Sequence, residues 1–339
     1  MTLHSWSRRW VRAGSGVLRA YLVIWLLAWL GLQIAPQRSG LPALVEVFAP
    51  YLALGPLGIG LLLWRRGGRW TRGAWGLCLA LAVGYWTPAL RAAPAPLPPG
   101  AQTLTAISWN VEVGGDRAAI AAVLAPGPAD LVALVEFNDA WVAHDPLVMA
   151  HYPYRLRHPG DPVDGITLLS RYPIRDGGPL PWPQGGPDPP RAIWADVTLP
   201  GGAPLRVVVG HPPPAALGGG PTARFYDSSR RDAEIAAIHA FLAPTLAQGA
   251  PALLLGDFNV TEREPAYADL SAGLINGQQA AGRGWGRTWR PDRVKRWVPP
   301  LVRIDYLLSS PALHPLAVTV DCTLRGSDHC LVAGRFALP

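Results

Sequence analysis

The sequence predicts an α/β domain of many short strands over residues 102–339, preceded by a membrane region of about three transmembrane helices over residues 1–90. Three observations carry this. The N-terminal part holds three long apolar stretches, a Pro/Ala-rich run interrupts the chain at 91–101, and short β-like runs then alternate with helical patches.

The apolar stretches fall at roughly 17–35, 43–64 and 73–90. Each is about as long as a helix that crosses a bilayer core. They are rich in Leu, Ala and Trp, with Trp or Tyr near several ends, where amphipathic rings favour the interface. A cleaved signal peptide would account for the first stretch but not for the two that follow. Glu46 and the Pro/Gly pairs blur the limits of the second.

Arginines set the expected orientation. Arg8, Arg9 and Arg12 precede the first stretch and Arg65, Arg66, Arg69 and Arg72 fill the loop before the third, whereas only Arg38 lies between the first two. The positive-inside rule then places the N-terminus and the 65–72 loop in the cytoplasm, and three crossings put the downstream domain on the periplasmic or extracellular side of the inner or plasma membrane.

The same arginines explain the net charge of +7. Residues 1–101 hold ten Arg and one acid, Glu46, so residues 102–339 keep 20 basic and 22 acidic side chains, a net of −2. The basic character is therefore no evidence that the domain binds DNA.

The run RAAPAPLPPG over 91–100 reads as a stiff extended spacer. Strands are expected at 103–109, 131–136, 165–170, 192–199, 205–211, 252–258, 304–310, 316–322 and 330–336, and helices at 116–125 and 227–243. Cys78 lies in the third apolar stretch. Cys322 and Cys330 either pair in an oxidising compartment or remain two buried thiols.

Polar residues recur at the ends of hydrophobic strands: Asn110 after ISW, Glu136 after LVALV, His211 after LRVVVG, Asp257 and Asn259 after ALLLG. Asp305 sits inside RIDYLL, and Asp328 and His329 fall between the last two strands. Strand ends are where a rigid scaffold preorganises a site. Oxygen donors dominate this set, which suits Mg²⁺ or Mn²⁺ better than zinc. Phosphoester hydrolysis needs charge stabilised on phosphate oxygens, a positioned water and a stabilised leaving oxygen, and carboxylates with imidazoles supply these. Singly, each residue would be read as a turn or cap; their joint order is what turns alone do not produce.

The ordered motifs WNV, VE, GH, GDFN, RIDYLL and SDH resemble the endonuclease/exonuclease/phosphatase (DNase I-like) superfamily over about residues 104–336. The resemblance implies a two-sheet α/β/β/α sandwich and a divalent-metal-dependent phosphoric ester hydrolase. It implies Glu136 as principal metal ligand with Asn110 beside it and Asp328 at a further metal-proximal position. Asp257 positions or deprotonates water, Asn259 holds it or a phosphate oxygen, and His329 binds the scissile phosphate, oriented by Asp305. His211 lies on the opposite side of the phosphate, and Glu112 matches an acidic position near the metal.

Two features bear on substrate. Arg191 begins a strand after the Pro/Gly-rich loop 177–190 and reads either as a surface arginine or as one that reaches a phosphate. The segment 283–303 combines Arg283, Arg287, Arg290, Arg293, Arg296, Arg303 and Lys295 with Trp285, Trp289 and Trp297. It reads either as a solvated loop or as a lip that binds phosphate by charge and stacks or dips into lipid. The expected function is a membrane-anchored phosphodiesterase or phosphomonoesterase acting on lipid head groups or nucleic acid. The alternatives are an extracytoplasmic nuclease and a catalytically silent binding protein of the same fold. The intact residue set speaks against silence, and three spans nearly free of ionisable groups speak against a transporter. No protein partner is inferable.

Overall fold

The computed structural model describes residues 3–34, 38–52, 54, 57–58, 61, 64–65, 68–86, 102–113, 115–137, 145–158, 165–182, 191–218 and 225–338. The expected linker at 91–101 and positions 183–190 of the loop before Arg191 lie outside these residues. The chain divides into two units, Met1–Leu90 with Leu217–Asp227, and Arg91–Ala216 with Ser228–Pro339.

The first unit contains helices α1 (Leu3–Ile34), α2 (Gly40–Leu52) and α3 (Arg69–Trp86). Leu18, Leu22 and Cys78 form a small buried cluster, and Thr71 Oγ1 donates to Ser15 Oγ at 3.0 Å. Among the described residues no helix is long and apolar enough to cross a membrane; parts of the second expected span, 43–64, and the end of the third, 87–90, lie outside the described residues. The uncharged part of α1 behind Arg19 covers residues 20–34. α2 has 13 residues, with Glu46 and Pro50 inside it, and α3 opens on Arg69 and Arg72.

The second unit is a sandwich whose strands are β1 (Thr103–Asn110), β2 (Leu131–Val135), β3 (Tyr154–His158), β4 (Ile166–Ser170), β5 (Ile174–Pro179), β6 (Ala192–Thr198), β7 (Pro204–Gly210), β10 (Ala252–Asp257), β11 (Ile275–Asn276), β12 (Asp305–Ser309), β13 (His314–Asp321) and β14 (Leu331–Ala337); the short β8 (Ala216–Leu217) ends in, and β9 (Tyr226–Asp227) lies in, the segment Leu217–Asp227 that belongs to the first unit. One six-stranded sheet runs β13-β14-β1-β2-β4-β3, the other β11-β12-β10-β7-β6-β5, while β8 and β9 pair separately. All nine expected strands are present within one or two residues at their ends.

Strand alternation explains the layers. Along β2, Leu131, Ala133 and Val135 join Leu253 and Leu255 of β10 in the core between the sheets. The intervening Val132 and Leu134 face outward against Ile120 and Leu124 of the helix Arg117–Leu124. On the other sheet Ala252 and Leu254 pack with Ile235, Ile238 and Leu242 of the helix Ser229–Ala247. Strands covered on both faces must be apolar at every position, as LVALV and ALLL are. The result is the α/β/β/α order that the resemblance implies.

Candidate active site

β1 pairs parallel with β2, and β7 parallel with β10, so Asn110, Glu136, His211 and Asp257 all lie at or just past strand C-termini. β12 and β14 run antiparallel to β10 and β1, so Asp305 and His329 enter at the beginnings of their strands. Asp257 and Asp305 are direct register partners. Two facing glycines, Gly210 and Gly256, precede His211 and Asp257. Gly256 has φ 141°, and a Cβ there would come within 2.0 Å of the Gly210 carbonyl oxygen, so a glycine is required for this approach.

Asn110 occupies the centre. Its Nδ2 donates to Glu136 Oε1 at 3.0 Å and to Asp257 Oδ2 at 3.1 Å, while its Oδ1 accepts the Glu112 amide at 2.9 Å. His211 Nε2 lies 3.6 Å from Glu136 Oε1 and 3.8 Å from Asp257 Oδ2. Opposite it, His329 Nε2 lies 3.6 Å from Asp257 Oδ2, and His329 Nδ1 makes a 2.9 Å hydrogen bond with Asp305 Oδ2. Asp257 therefore sits between two imidazoles, with Glu136 beside one and Asp305 behind the other.

The electrostatics follow from burial. Burial, reinforced by Asp305, pushes the Asp257 carboxyl up to about 7 against the opposing pull of His329. For His329, burial favours the neutral ring, but Asp305 and Asp257 outweigh it and push the pKa up to about 10. The ring is thus cationic at neutral pH, as suits a group that binds phosphate.

Three non-glycine residues in the described chain have φ between 50° and 60°: Glu112, Glu136 and Asn259. All three belong to this constellation, where strained backbone accompanies function. At Asn259 the strain is held by partners. Its amide donates to Asp257 Oδ1 at 2.9 Å, its Nδ2 donates to Pro212 O at 3.0 Å, and its carbonyl accepts Arg231 Nη1 at 2.7 Å. Arg231, buried on the helix Ser229–Ala247, also lies 2.7 Å from Glu264 Oε1 and 3.0 Å from Asp232 Oδ1.

Some expected site residues turn out to be engaged elsewhere. Glu112 pairs with Lys295 at 2.7 Å and accepts the Asp328 amide at 3.0 Å. Trp289 is half-buried and spends its indole N–H on Asp328 Oδ2 at 2.9 Å, which ties up one oxygen of that expected ligand. Asp328 Oδ1 lies 3.8 Å from His329 Nε2. Arg191 contributes its backbone: its carbonyl accepts the His211 amide at 2.7 Å, and its own amide donates to Glu234 at 3.0 Å.

Sequence reading assigns no role to Ser327, Thr288 or Arg231, and none to Lys295 beyond its charge. Ser327 Oγ donates to Asn110 O at 2.7 Å and accepts the His329 amide at 2.9 Å, joining the two halves of the site. Thr288 Oγ1 accepts the amides of Ile304 and Asp305, each at 3.2 Å. Ser327 stands inside the SDH motif, which is its available signal.

Two donor sets compete for a cation. Asp257, Asp305 and His329 offer ligand atoms within 4.8 Å of one another. A histidine protonated up to about pH 10, however, is a poor donor. Glu136, Asn110 and Asp257 form an oxygen-rich alternative at hydrogen-bonding spacing. Asp305 Oδ1 is buried without a hydrogen-bond partner. Several buried carboxylates in one place, one of them with an unanswered oxygen, fit a hard divalent cation.

This combination of a two-sheet sandwich with carboxylates and imidazoles at its strand ends defines a phosphoesterase class. The Endonuclease/Exonuclease/phosphatase family profile matches residues 107–329, and the chain belongs to that family. Among solved structures it is similar to a variant of the 3′ phosphatase NExo from Neisseria bound to a product DNA hairpin, with 21% identity, TM-score 0.55, and coverage of 69% of this chain and 99% of that one. It is also similar to D. rerio TDP2 complexed with a single-strand DNA product, with 19% identity, TM-score 0.53, and coverage of 69% and 99%. A functionally unknown conserved protein from Enterococcus faecalis shares 18% identity at TM-score 0.53, with coverage of 70% and 100%. No curated protein sequence matches the chain.

Proposed function

We propose that the chain is a divalent-metal-dependent hydrolase of phosphate esters that uses an activated water. The observation that carries this is Asp257 held between His211 and His329, with Asp305 on His329 and Glu136 within 3.6 Å of His211. Glu136 and Asn110 would hold Mg²⁺ or Mn²⁺, which supplies charge to the non-bridging and leaving oxygens of the ester. Asp257, ionised near neutrality, orients the attacking water and takes its proton. His329, kept cationic by Asp305, donates hydrogen bonds to a phosphate oxygen. His211 closes the other side.

Hydrolysis of bis-p-nitrophenyl phosphate tests this reading. Turnover should require Mg²⁺ or Mn²⁺ and fall by about 10²–10⁴ in His329→Ala or Asp257→Ala. Absence of any metal-dependent turnover on diesters, monoesters, DNA and phospholipids would overturn it. The DNA-bound NExo and TDP2 structures favour nucleic acid among the substrates to compare.

We further propose that the first unit holds the enzyme to a membrane with its catalytic domain outside the cytoplasm. Exposed Val23, Ile24, Leu27 and Ile34 on α1 support the attachment. The Cys322–Cys330 disulfide supports the compartment, since such bonds persist in oxidising surroundings. Fractionation with carbonate washing tests attachment, and a C-terminal reporter active only in the periplasm tests the side. A fully soluble full-length chain refutes the attachment, and a reporter active in the cytoplasm refutes the side.

A further inference from the structure

One side chain draws three loops together at the catalytic end of the sandwich. Lys295 Nζ lies 2.7 Å from Glu112 Oε2 and 2.7 Å from Asp292 Oδ1, and donates to Gly326 O at 2.6 Å. Each joined loop carries an outward apolar side chain within three residues of that junction. Val113 is 43% exposed, Val294 40%, Trp297 84% and Leu324 45%. Large apolar groups gathered at the mouth of a site mark a surface that is covered in use.

The central loop is shaped for it. A 3₁₀ turn at Asp292–Val294 continues through the Trp297 amide donating to Val294 O at 2.8 Å. Residues three apart share a side in such a turn. Val294 and Trp297 therefore form one ridge, and the exposed Arg293 and Arg296 form the next. Nearby acids already have partners, Glu112 and Asp292 on Lys295, and Asp321 on Arg325 at 2.6 Å. Segment 283–303 carries six Arg and one Lys against one Asp within a domain whose overall charge is −2; Arg290 is buried and Arg303 pairs with Glu262, whereas Arg283, Arg293 and Arg296 are exposed.

We propose that this rim docks on an anionic lipid bilayer. Trp297 and Val294 enter the interface, Arg293 and Arg296 meet head-group phosphates, and the site faces phosphoesters carried in that surface. Tryptophan favours the bilayer interface, and each basic residue near an anionic surface strengthens association by roughly fivefold. Nucleic acid fits the rim less well, because of the four exposed apolar side chains named above only Trp297 offers a ring on which a base can stack. The inference rests on the phosphoesterase reading only for what the docked site does; the docking itself is tested by binding, so the two fail separately.

The test uses the full chain with Cys78→Ala, which leaves only the Cys322–Cys330 pair. Val294→Cys takes an environment-sensitive nitrobenzoxadiazole label, and Ala203→Cys, in the turn at the opposite end of β7, takes the same label as control. Vesicles of phosphatidylcholine with and without phosphatidylglycerol are added. Emission at position 294 should rise and shift to the blue with phosphatidylglycerol, while position 203 stays unchanged. Arg293→Gln with Arg296→Gln should weaken the response roughly thirtyfold, and Trp297→Ala should weaken it further. No response at 294, an equal response at 203, indifference to phosphatidylglycerol, or a response to single-stranded DNA alone overturns the proposal.

Discussion

His329 Nδ1 lies 2.9 Å from Asp305 Oδ2, and the same ring turns Nε2 toward Asp257 at 3.6 Å. One carboxylate thus fixes the orientation and charge of an imidazole that faces another. In Asp305→Asn the main countercharge is gone, and the His329 pKa should fall from about 10 toward its ordinary value near 6.5. The alkaline limb of kcat/KM should move down with it, as a pH–rate profile and ring titration by NMR would show. Stability follows the same sign. A raised histidine pKa contributes stability that is complete below about 6.5 and lost as pH rises through about 10. The stability gap between wild type and Asp305→Asn should therefore close in strong alkali.

Asp257 gives a dependence of the same sign in a lower pH window. Its carboxyl is raised to about 7, so between about 4 and 7 the folded protein binds the extra proton, and this contribution is lost as pH rises through about 7. A divalent cation replaces that proton. Mg²⁺ should raise Tm more at about pH 8 than at about pH 6, and chelator should reverse the gain. Glu136→Gln should flatten the response, which differential scanning calorimetry can read.

Arg231 is a buried cation with carboxylates of Asp232 and Glu264 around it. Arg231→Met leaves those carboxylates without their partner and should cost about 3–5 kcal/mol in urea unfolding. Adding Glu264→Gln should return part of this. Because Arg231 also holds the Asn259 carbonyl, the variant should lose kcat more than it gains KM.

The Cys322–Cys330 disulfide closes the loop that carries Asp328 and His329. For a loop of this size the bond contributes about 2–3 kcal/mol. Dithiothreitol, or Cys322→Ser with Cys330→Ser, should lower Tm accordingly. It should also slow turnover, since the Cys330 amide anchors the base of this loop to Thr288 O at 2.7 Å.

Legibility in the sequence tracks local pattern. Strands such as LVALV and ALLLGD announce themselves because both faces are buried. β3 (YRLRH) and β5 (IRDGGP) do not, because each is an edge strand with polar, exposed positions. The helices Pro146–His151 and Pro265–Ser271 are too short to show a period and are marked only by an acid followed by proline. Within the site, Asn110, Glu136, His211, Asp257, Asp305 and His329 are readable as polar ends of apolar strands. Lys295 is not, since its partner Glu112 lies 183 residues away in the chain, and Ser327 is marked only by its place in the SDH motif, its partner Asn110 lying 217 residues away. The pairing of Glu112 with that distant lysine is invisible locally for the same reason.

Glu112, Glu136 and Asn259 hold left-handed backbone conformations that cost an ordinary residue about 1–2 kcal/mol each. Glycine would relieve that cost at all three positions while removing a carboxylate or an amide. A laboratory selection for heat resistance alone would thus find some of its easiest gains at the site itself, and would tend to return a sturdier, inert protein. Thermostabilised versions of this enzyme should be sought with these three positions frozen.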